Sequence, residues 1–296
     1  AIDAGDVVTL TATGDATGNV VDAVGTVTIL ATEDASGNVI DTAANAAVTG
    51  ANVQGGSVNA AGTADVTSTT GDVDGIAVLA GGAVTVLGNQ SVTNASFSST
   101  GSTVSVTATN VDVSNVDVVA NLAATVLANG DVLGSSAISE TAGVAVTATT
   151  GSISATDVAA ATTAALQGNV DIVGGTVVSG TSTTLVATTG EINGTNVQAD
   201  TTAALTAALD VTGVSVDAGT SITVTAGGDL TGGAFDSALI TVNAGVDNVV
   251  GNAFTTSGAL NITADQDIAG NAIDAGDVVT LTATGDATGN VVDAVG

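Results

Sequence analysis

The sequence contains no lysine, arginine or histidine, whereas it contains 29 aspartate and glutamate residues. Its formal net charge is therefore -29 at pH 7, and no side chain of the chain can neutralise it. Nucleic-acid backbones and anionic lipid surfaces attract proteins through Lys and Arg side chains. We therefore expect neither nucleic-acid binding nor electrostatic docking to a membrane. No apolar run approaches the ~18 residues of a membrane span, so membrane insertion is not expected either.

Cysteine and tyrosine are absent as well. Without cysteine the chain can form neither disulfides nor thiolate metal sites. Nucleophilic and acid–base catalysis relies mostly on His, Cys, Lys or Tyr, and basic groups stabilise anionic intermediates. A carboxylate pair, as in glycoside hydrolases, is the remaining catalytic option. Because the acidic residues are spread over repeats and are not gathered in one irregular groove, we expect no enzymatic activity and assign no catalytic residue.

Proline, methionine and tryptophan are also missing. The turns must therefore be made by the 39 glycines and by asparagine. An acidic composition with few aromatics often indicates disorder. Here, however, 45% of the residues are hydrophobic, mainly Val, Ile, Leu and Ala, so the chain can bury a core.

The most conspicuous feature that is present is repetition. The 25 residues that begin at Ala1 recur without change from Ala272, which sets a period of 271 residues. Inside it lies a shorter repeat of 18 to 20 residues, and 14 such intervals fill the longer period. The short repeats start at Val8, Val27, Ala46, Ala64, Val84, Val104, Ala124, Val144, Ala164, Thr184, Ala204, Ile222, Ile240, Leu260 and Val279. We predict one continuous repeat domain over 1–296, with one super-repeat over 1–271 and the start of the next over 272–296.

Each short repeat contains three apolar positions that indicate short strands. Apolar residues alternate in the first strand, as in Val27 and Ile29, which predicts one buried face. A second apolar position follows eight or nine residues after the start, as at Val92 and Ile172. A third follows after about twelve to fourteen: Val20, Val39, Val58, Ile76, Val116, Val177, Val197, Val216, Ile273, Phe97, Phe235 and Phe254.

Three strands per repeat, separated by Gly, Asn and Asp corners, predict an all-β fold. The chain should form a parallel β-helix (β-solenoid) of about 14 coils of 18–20 residues per super-repeat, with equivalent strands about 4.8 Å apart. A tandem array of small β-sandwiches is the competing fold. It would need hairpin turns and units nearer ~100 residues, so a period of 18 to 20 residues is too short for it.

Two segments carry a resemblance to a known family: SITVTAGGDLTGGAFDS (Ser221 to Ser237) and SGALNITADQDIAGNAIDAGD (Ser257 to Asp277). They resemble the degenerate repeats of filamentous-haemagglutinin-type exoproteins, and the likeness extends over almost the whole chain. That family comprises large secreted adhesins with a right-handed parallel β-helix shaft. The resemblance implies a right-handed solenoid, an extracellular or cell-surface location, and a role as a shaft.

Aligned coils would place acidic residues in columns. One column, seven residues after the repeat starts, would contain Asp15, Asp34, Asp131, Asp171, Glu191, Asp229, Asp247, Asp267 and Asp286. Carboxylates ~5 Å apart repel by roughly 1 kcal/mol in water, and Ca²⁺ binds clustered carboxylate oxygens in flexible geometry. The candidate calcium ligands are Asp15, Asp34, Asp229, Asp247, Asp267 and Asp286. The alternative is a solvated acidic face whose Asp residues form corners, and the fold itself is expected to require no cofactor. A second, sparser column would hold Asp22, Asp41, Asp236, Asp274 and Asp293.

Two further columns are uncharged. Asn19, Asn38, Asn115 and Asn271 are predicted to form an asparagine ladder along the stack. Outward threonines such as Thr9 and Thr11 could order water as an ice-binding face. That array would be interrupted by Leu30, Leu87, Leu127, Gln167, Ala187 and Ala207.

These patterns favour a structural function. We expect a rigid, acidic, extracellular shaft of a surface fibre, sheath or adhesin that propagates by coil stacking. Neither end shows a polar cap, so the chain is expected to continue covalently or to pair with itself, end to end or laterally. Glycans or neighbouring surfaces are further expected partners. The alternative is a β-solenoid that binds calcium, ice or glycans.

Overall fold

The structure is a computed structural model that describes residues 1–245 and 247–295, so Val246 and Gly296, the last residue of the segment predicted to start the next super-repeat, lie outside the described residues. Every element in the described residues is a β-strand. None of these residues forms a helix long and apolar enough to cross a membrane. The chain divides into two compact units, Ala1–Thr149 and Thr150–Gly296.

The first unit consists of 23 strands in which strands of five, two and four residues alternate, apart from a three-residue first strand. They are β1 (Ile2–Ala4), β2 (Val8–Ala12), β3 (Ala16–Thr17), β4 (Val20–Ala23), β5 (Val27–Ala31), β6 (Ala35–Ser36), β7 (Val39–Thr42), β8 (Ala46–Gly50), β9 (Val53–Gln54), β10 (Ser57–Ala60), β11 (Ala64–Ser68), β12 (Val73–Asp74), β13 (Ala77–Ala80), β14 (Val84–Gly88), β15 (Val92–Thr93), β16 (Ser96–Ser99), β17 (Val104–Ala108), β18 (Val113–Ser114), β19 (Asp117–Ala120), β20 (Ala124–Ala128), β21 (Val132–Leu133), β22 (Ser136–Ser139) and β23 (Val144–Ala148).

The second unit repeats this order, with three of its long strands extended to six residues. Its strands are β24 (Ile153–Ser154), β25 (Asp157–Ala160), β26 (Ala164–Gly168), β27 (Ile172–Val173), β28 (Thr176–Ser179), β29 (Ser182–Ala187), β30 (Ile192–Asn193), β31 (Asn196–Ala199), β32 (Thr202–Ala207), β33 (Val211–Thr212), β34 (Ser215–Ala218), β35 (Ser221–Ala226), β36 (Leu230–Thr231), β37 (Ala234–Ser237), β38 (Ile240–Ala244), β39 (Val249–Val250), β40 (Ala253–Thr256), β41 (Leu260–Ala264), β42 (Ile268–Ala269), β43 (Ala272–Ala275), β44 (Val279–Ala283), β45 (Ala287–Thr288) and β46 (Val291–Ala294).

Within each unit the strands form three parallel sheets, because each strand pairs with the strand three places further along the chain. The long-strand sheet begins with β2 and β5, the short-strand sheet with β3 and β6, and the four-residue sheet with β1 and β4. Paired residues are about 19 apart, as Val8 and Val27 are. The predicted all-β parallel β-solenoid is thus confirmed, with about 15 coils in the chain. Its handedness and the single continuous domain over 1–296 stay predictions.

The core of each unit is filled by the residues that point inward from the three sheets. Long strands bury alternate residues, so that Val84, Val86 and Gly88 are inside while Thr85 and Leu87 are outside. All three phenylalanines are buried, as predicted. In the second unit, Phe235 and Phe254 occupy paired positions on β37 and β40 and stack with their ring centroids 5.2 Å apart.

Two inward assignments were wrong by one residue. Val20 and Val39 are 47% and 42% exposed, whereas their neighbours Val21 and Ile40 are buried. Successive strand residues point to opposite faces, so a shift of one position exchanges inside for outside. Two predicted repeat starts were also wrong by one residue. They lie at Thr183 and Ala203, which pair with Ala164 and Ile222, and not at Thr184 and Ala204.

The corner after each short strand has a left-handed backbone. Glycine occupies most of these positions, for example Gly75 with φ 67°. The non-glycine residues found there are Asn94 (φ 51°), Asn115 (φ 53°) and Ala155 (φ 49°). Asparagine tolerates this region better than other side chains do, which accounts for two of the three. Asn115 is therefore a corner residue whose Nδ2 donates to Asn94 Oδ1 at 3.3 Å, and it does not share the column of Asn19, Asn38 and Asn271 as predicted.

Candidate functional site

The candidate site of this protein is a set of polar columns that run along the coils. The column with most acidic residues lies directly before the first residue of each short strand, and we call it the acidic ladder. In the first unit it consists of Asp15, Asp34, Asn52, Asp72, Ser91, Asp112 and Asp131. In the second it consists of Ser152, Asp171, Glu191, Asp210, Asp229, Asn248, Asp267 and Asp286.

The acidic ladder is held by main-chain hydrogen bonds between coils. Asp34 N donates to Asp15 Oδ1 at 3.0 Å, and Asp286 N donates to Asp267 Oδ1 at 2.7 Å. The same bond, with lengths of 2.7 to 3.0 Å, has Asn52, Asp72, Asp112, Asp171, Asp210, Asp229 and Asn248 as acceptors. Each of these nine side chains thus accepts an N–H group of the following coil at a corner, where the strands themselves do not pair. Such charge-assisted bonds satisfy the main chain and place positive ends of dipoles against the negative charges.

Glycine allows the acidic side chain to approach the next coil closely at several corners. A Cβ atom on Gly130 would lie 2.2 Å from Asp112 Oδ1, and one on Gly190 would lie 2.0 Å from Asp171 Oδ1. Both distances are too short for any side chain. In the pairs Gly130-Asp131 and Gly190-Glu191, the glycine leaves room for the ladder carboxylate of the preceding coil. The residue after the glycine supplies the ladder carboxylate of its own coil.

The structure places five of the six predicted calcium ligands in the acidic ladder: Asp15, Asp34, Asp229, Asp267 and Asp286. Asp247 is not in it, because the corner after β38 has four residues and Asn248 directly precedes the buried Val249. Asn248 thus separates Asp229 from Asp267, and its Nδ2 donates to Asp229 Oδ1 at 3.0 Å. In residues 1–245 and 247–295, no group of three or more acidic side chains is arranged to hold a metal ion. Calcium binding stays a prediction.

Sequence reasoning missed Asp72, Asp112 and Asp210 as ladder residues. A fixed spacing of seven residues from the strand start fails where the corner is longer, as after β11 and β17. A local signal would have found them: Asp or Asn, a buried aliphatic residue, any residue, and then Gly or Asn at the left-handed corner. Asp210-Val211-Thr212-Gly213 shows this pattern.

The second predicted acidic column lies on the outer face of the four-residue sheet. Asp3, Asp22 and Asp41 occupy successive paired positions in the first unit, and Asn59 Nδ2 donates to Asp41 Oδ1 at 3.0 Å. In the second unit the column contains Asp217, Asp236, Thr255, Asp274 and Asp293. An open recess of about 500 Å³ runs along part of this column. Its carboxylates are exposed to solvent, so screening by dissolved cations reduces their repulsion.

The asparagine ladder is confirmed at Asn19, Asn38 and Asn271, and it also includes Asn252 and Asn290. Asn271 is 1% exposed, and its Oδ1 accepts from Asn252 N at 2.9 Å and from Asn252 Nδ2 at 3.1 Å. Its own Nδ2 donates to Val249 O at 2.9 Å. These bonds satisfy buried groups that would otherwise lose their hydration without compensation.

Two side-chain hydrogen bonds change the ionisation of Asp74. The side-chain hydrogen bond from Thr93 lowers the pKa of Asp74, and the one from Asn94 acts in the same direction. Thr93 Oγ1 lies 2.7 Å and Asn94 Nδ2 lies 2.9 Å from Asp74 Oδ1. Both donors favour the charged carboxylate over its protonated form.

The stacked coils, the three parallel sheets and the polar ladders together define a repeat protein of the parallel β-solenoid class. No protein-family model, no curated protein and no solved structure matches the chain.

We predict that Asn271→Ala lowers stability strongly, because it removes the buried acceptor of the Asn252 main-chain N–H and one of the three acceptors of the Asn252 side-chain amide. The expected loss is about 2–3 kcal/mol, the cost of a buried unsatisfied polar group plus its lost bonds. Asn59→Ala is the matched control, since Asn59 is exposed and makes one surface hydrogen bond. Thermal and denaturant unfolding should show a loss within about 0.5 kcal/mol for the control. Equal losses in the two variants would contradict a structural role of the ladder.

A second prediction concerns pH. Because the pKa of Asp74 is lowered in the folded state, its hydrogen bonds stabilise the protein above the pKa of the unfolded state, and this contribution disappears as pH falls through the folded-state pKa. The stability difference between the wild type and Thr93→Val should therefore shrink on acidification. Thr231→Val is the control, because Thr231 occupies the same outward position on a short strand but its partner Thr212 is uncharged. Its difference from the wild type, measured by urea unfolding over the same pH range, should stay constant.

Proposed function

We propose that this protein is a structural component outside the cell, the shaft of a surface fibre, sheath or adhesin. The observation that carries the proposal is the uniformity of the coils. No connection between successive strands is longer than four residues. Binding and catalytic sites are built mostly on longer loops that interrupt a scaffold. Such loops do not occur between the described strands, so the coils themselves are the working part.

The interactions between coils support a stiff and extensible element. Within each unit, main-chain bonds of three sheets and an aliphatic core connect successive coils, and the acidic ladder adds bonds at most corners. The asparagine ladder adds bonds between Asn19 and Asn38 and from Asn252 to Asn290. In a repeat architecture of this kind, coils contact only their neighbours, so duplication adds length without a new interface. The exact recurrence of residues 1–25 at 272–296 fits growth by duplication.

The resemblance to filamentous-haemagglutinin-type exoproteins supports an extracellular location, since the members of that family are secreted adhesins that use a β-helix as a shaft. The absence of Lys and Arg also leaves trypsin-like proteases without a cleavage site, which is an advantage outside a cell. The proposal includes no enzymatic activity and no required cofactor. Its main partner is the protein itself, with glycans or neighbouring surfaces at the ends of the fibre.

Electron microscopy and fibre diffraction of the native material, with and without a calcium chelator, test this proposal. Long uniform fibres with an axial repeat of about 4.8 Å that survive chelation are the expected result. Compact particles under both conditions would contradict the shaft. Fibres that dissolve on chelation, and that an equal ionic strength of sodium does not restore, would instead support calcium binding along the acidic ladder.

A second candidate function is favoured by the observed register. Ala187 and Ala207 are 1% and 3% exposed and point inward, so they do not interrupt the outward array as the sequence suggested. On β35, β38, β41 and β44 every outward position carries a hydroxyl or an amide: Ser221, Thr223, Thr225, Thr241, Asn243, Asn261, Thr263, Thr280 and Thr282. We call this set the threonine face. Its regular spacing and lack of charge suit an ordered layer of water, as in ice binding.

Measurements of thermal hysteresis and ice recrystallisation test the threonine face. Thr241→Tyr, in the middle of the face, should abolish any ice activity because a bulky ring breaks the regular surface. Thr255→Tyr is the matched control, because Thr255 is exposed on the four-residue sheet. The absence of ice activity in the wild type, or its loss in both variants, would contradict this second candidate.

A further inference from the structure

The outer face of the long-strand sheet is almost free of charge. In the first unit, Asp65 is the one charged residue at the outward positions of the long strands that the structure describes, β2 to β23. The outer face of the four-residue sheet, in contrast, carries Asp3, Asp22 and Asp41 in the same unit. Since the chain has no Lys, Arg or His, two copies repel each other wherever both present carboxylates. The long-strand sheet is therefore the face on which a second copy meets least repulsion.

Four neighbouring strands of this sheet, β14, β17, β20 and β23, form what we call the corrugated face. On β14 and β20 the outward residues are exposed, and these two strands are the ridges: Thr85 and Leu87, Thr125 and Leu127. On β17 and β23 the outward residues are half-buried, and these two strands are the furrows: Ser105 and Thr107, Ala145 and Thr147. Asp65 lies on β11, outside the corrugated face.

The alternation of large and small residues is in phase at both outward positions. Strand pairing places Thr107 between Leu87 and Leu127. It likewise places Ser105 between Thr85 and Thr125. Neighbouring strands are about 4.8 Å apart, so the ridges repeat at about 9.6 Å. A partner fits this surface if its own ridges have the same spacing and enter the furrows, and a second copy of the face meets that condition when it is shifted by one coil.

One two-fold axis produces this shift for both copies at once. If the axis runs along the strand direction and passes between β17 and β20, it places β17 opposite β20, and β14 opposite β23, of the other copy. Leu127 of each copy then faces Thr107 of the other, while Leu87 faces Thr147. Every ridge meets a furrow, so the interface is isologous and closed. The two stacks run in opposite directions.

We propose that the corrugated face docks against the same face of a second copy, with the stacks antiparallel and the ridges of each copy in the furrows of the other. This inference deepens the proposed function and rests on it, since it gives the shaft a lateral partner. Leu87 and Leu127 are 40% and 36% exposed in the single chain, and the interface removes both side chains from water. An ordered layer of water suits these ridges less well, because leucine offers no hydrogen-bonding group.

The interface is small, which makes the complex weak and reversible. Four strands of five residues cover roughly 19 by 17 Å, so two facing copies bury on the order of 650 Å². Stable complexes usually bury about 1,200–2,000 Å², and smaller interfaces are typical of transient ones. The net charge of -29 on each copy opposes association, and salt screens that repulsion. The dimer should therefore be tighter at about 1 M NaCl than at low ionic strength.

Sedimentation equilibrium of the 296-residue chain, at up to about 1 mM protein and about 1 M NaCl, tests the docking. The wild type should form a reversible dimer. Leu127→Asp should weaken the dimer at least tenfold, because it puts a carboxylate into the interface. Ile138→Asp is the matched control, since Ile138 is also 36% exposed but lies on the outer face of the four-residue sheet. The control should dimerise like the wild type.

A mixing experiment tests the register. Thr107→Lys and Leu127→Asp should each dimerise weakly alone, whereas their equimolar mixture should recover the dimer, because the new lysine of one copy faces the new aspartate of the other. Thr107→Lys mixed with Leu87→Asp is the matched control. Both mixtures have the same charges, but Leu87 faces Thr147 in the proposed register, so this mixture should not recover. Circular dichroism of each variant establishes that the sheets are retained.

Several outcomes would overturn the docking. These are a wild type that stays monomeric under the stated conditions, equal losses in Leu127→Asp and Ile138→Asp, and recovery in both mixtures or in neither. Long native fibres would still support the shaft in each of these cases. Compact native particles would instead contradict the proposed function itself, whether or not the chain dimerises.

Discussion

The main-chain hydrogen bond between equivalent residues of successive coils is the interaction on which the rest of this structure depends. It holds strands about 4.8 Å apart and in register, so residues about 19 positions apart meet along three sheets. Once that register exists, any side chain at a given position stands next to its own equivalent. Apolar positions then become a continuous core, whereas polar positions become ladders. A stack of coils therefore selects side chains that tolerate neighbours of their own kind.

Corners are where this constraint is most demanding, because the strands stop pairing there and leave main-chain groups exposed. The protein uses side chains to continue the hydrogen bonding through the corners. Asp and Asn of the acidic ladder accept the N–H of the following coil, and the asparagine ladder bonds in the opposite direction. The two ladders thus satisfy donors on both faces of a coil. An acidic side chain is suited to the first task because it only accepts, and its charge strengthens the bond.

The fold could be predicted from the sequence because its cause is local and repeated. Alternation of apolar residues, a period near 19 and the abundance of β-branched residues and glycine leave few alternatives to a parallel β-solenoid. The positions of individual residues were harder, since corners vary from two to four residues in length. Asp247 was assigned to the ladder by counting from the strand start, but the four-residue corner moved Asn248 into that place. Val20 and Val39 were assigned to the core, but their neighbours Val21 and Ile40 are the buried residues. Successive residues of a strand point to opposite faces, so an error of one position exchanges inside for outside.

The complete absence of basic residues follows a similar logic. In a repetitive stack a lysine or arginine would stand beside its own equivalents in neighbouring coils, so a basic column would repel itself as the acidic columns do. Main-chain N–H dipoles and dissolved cations act equally on every coil, which suits a structure in which coils are interchangeable. The cost is a net charge that each added coil increases and that the solution must screen. Length and ionic strength are therefore coupled in this architecture: the longer the stack, the more its stability depends on the surrounding salt.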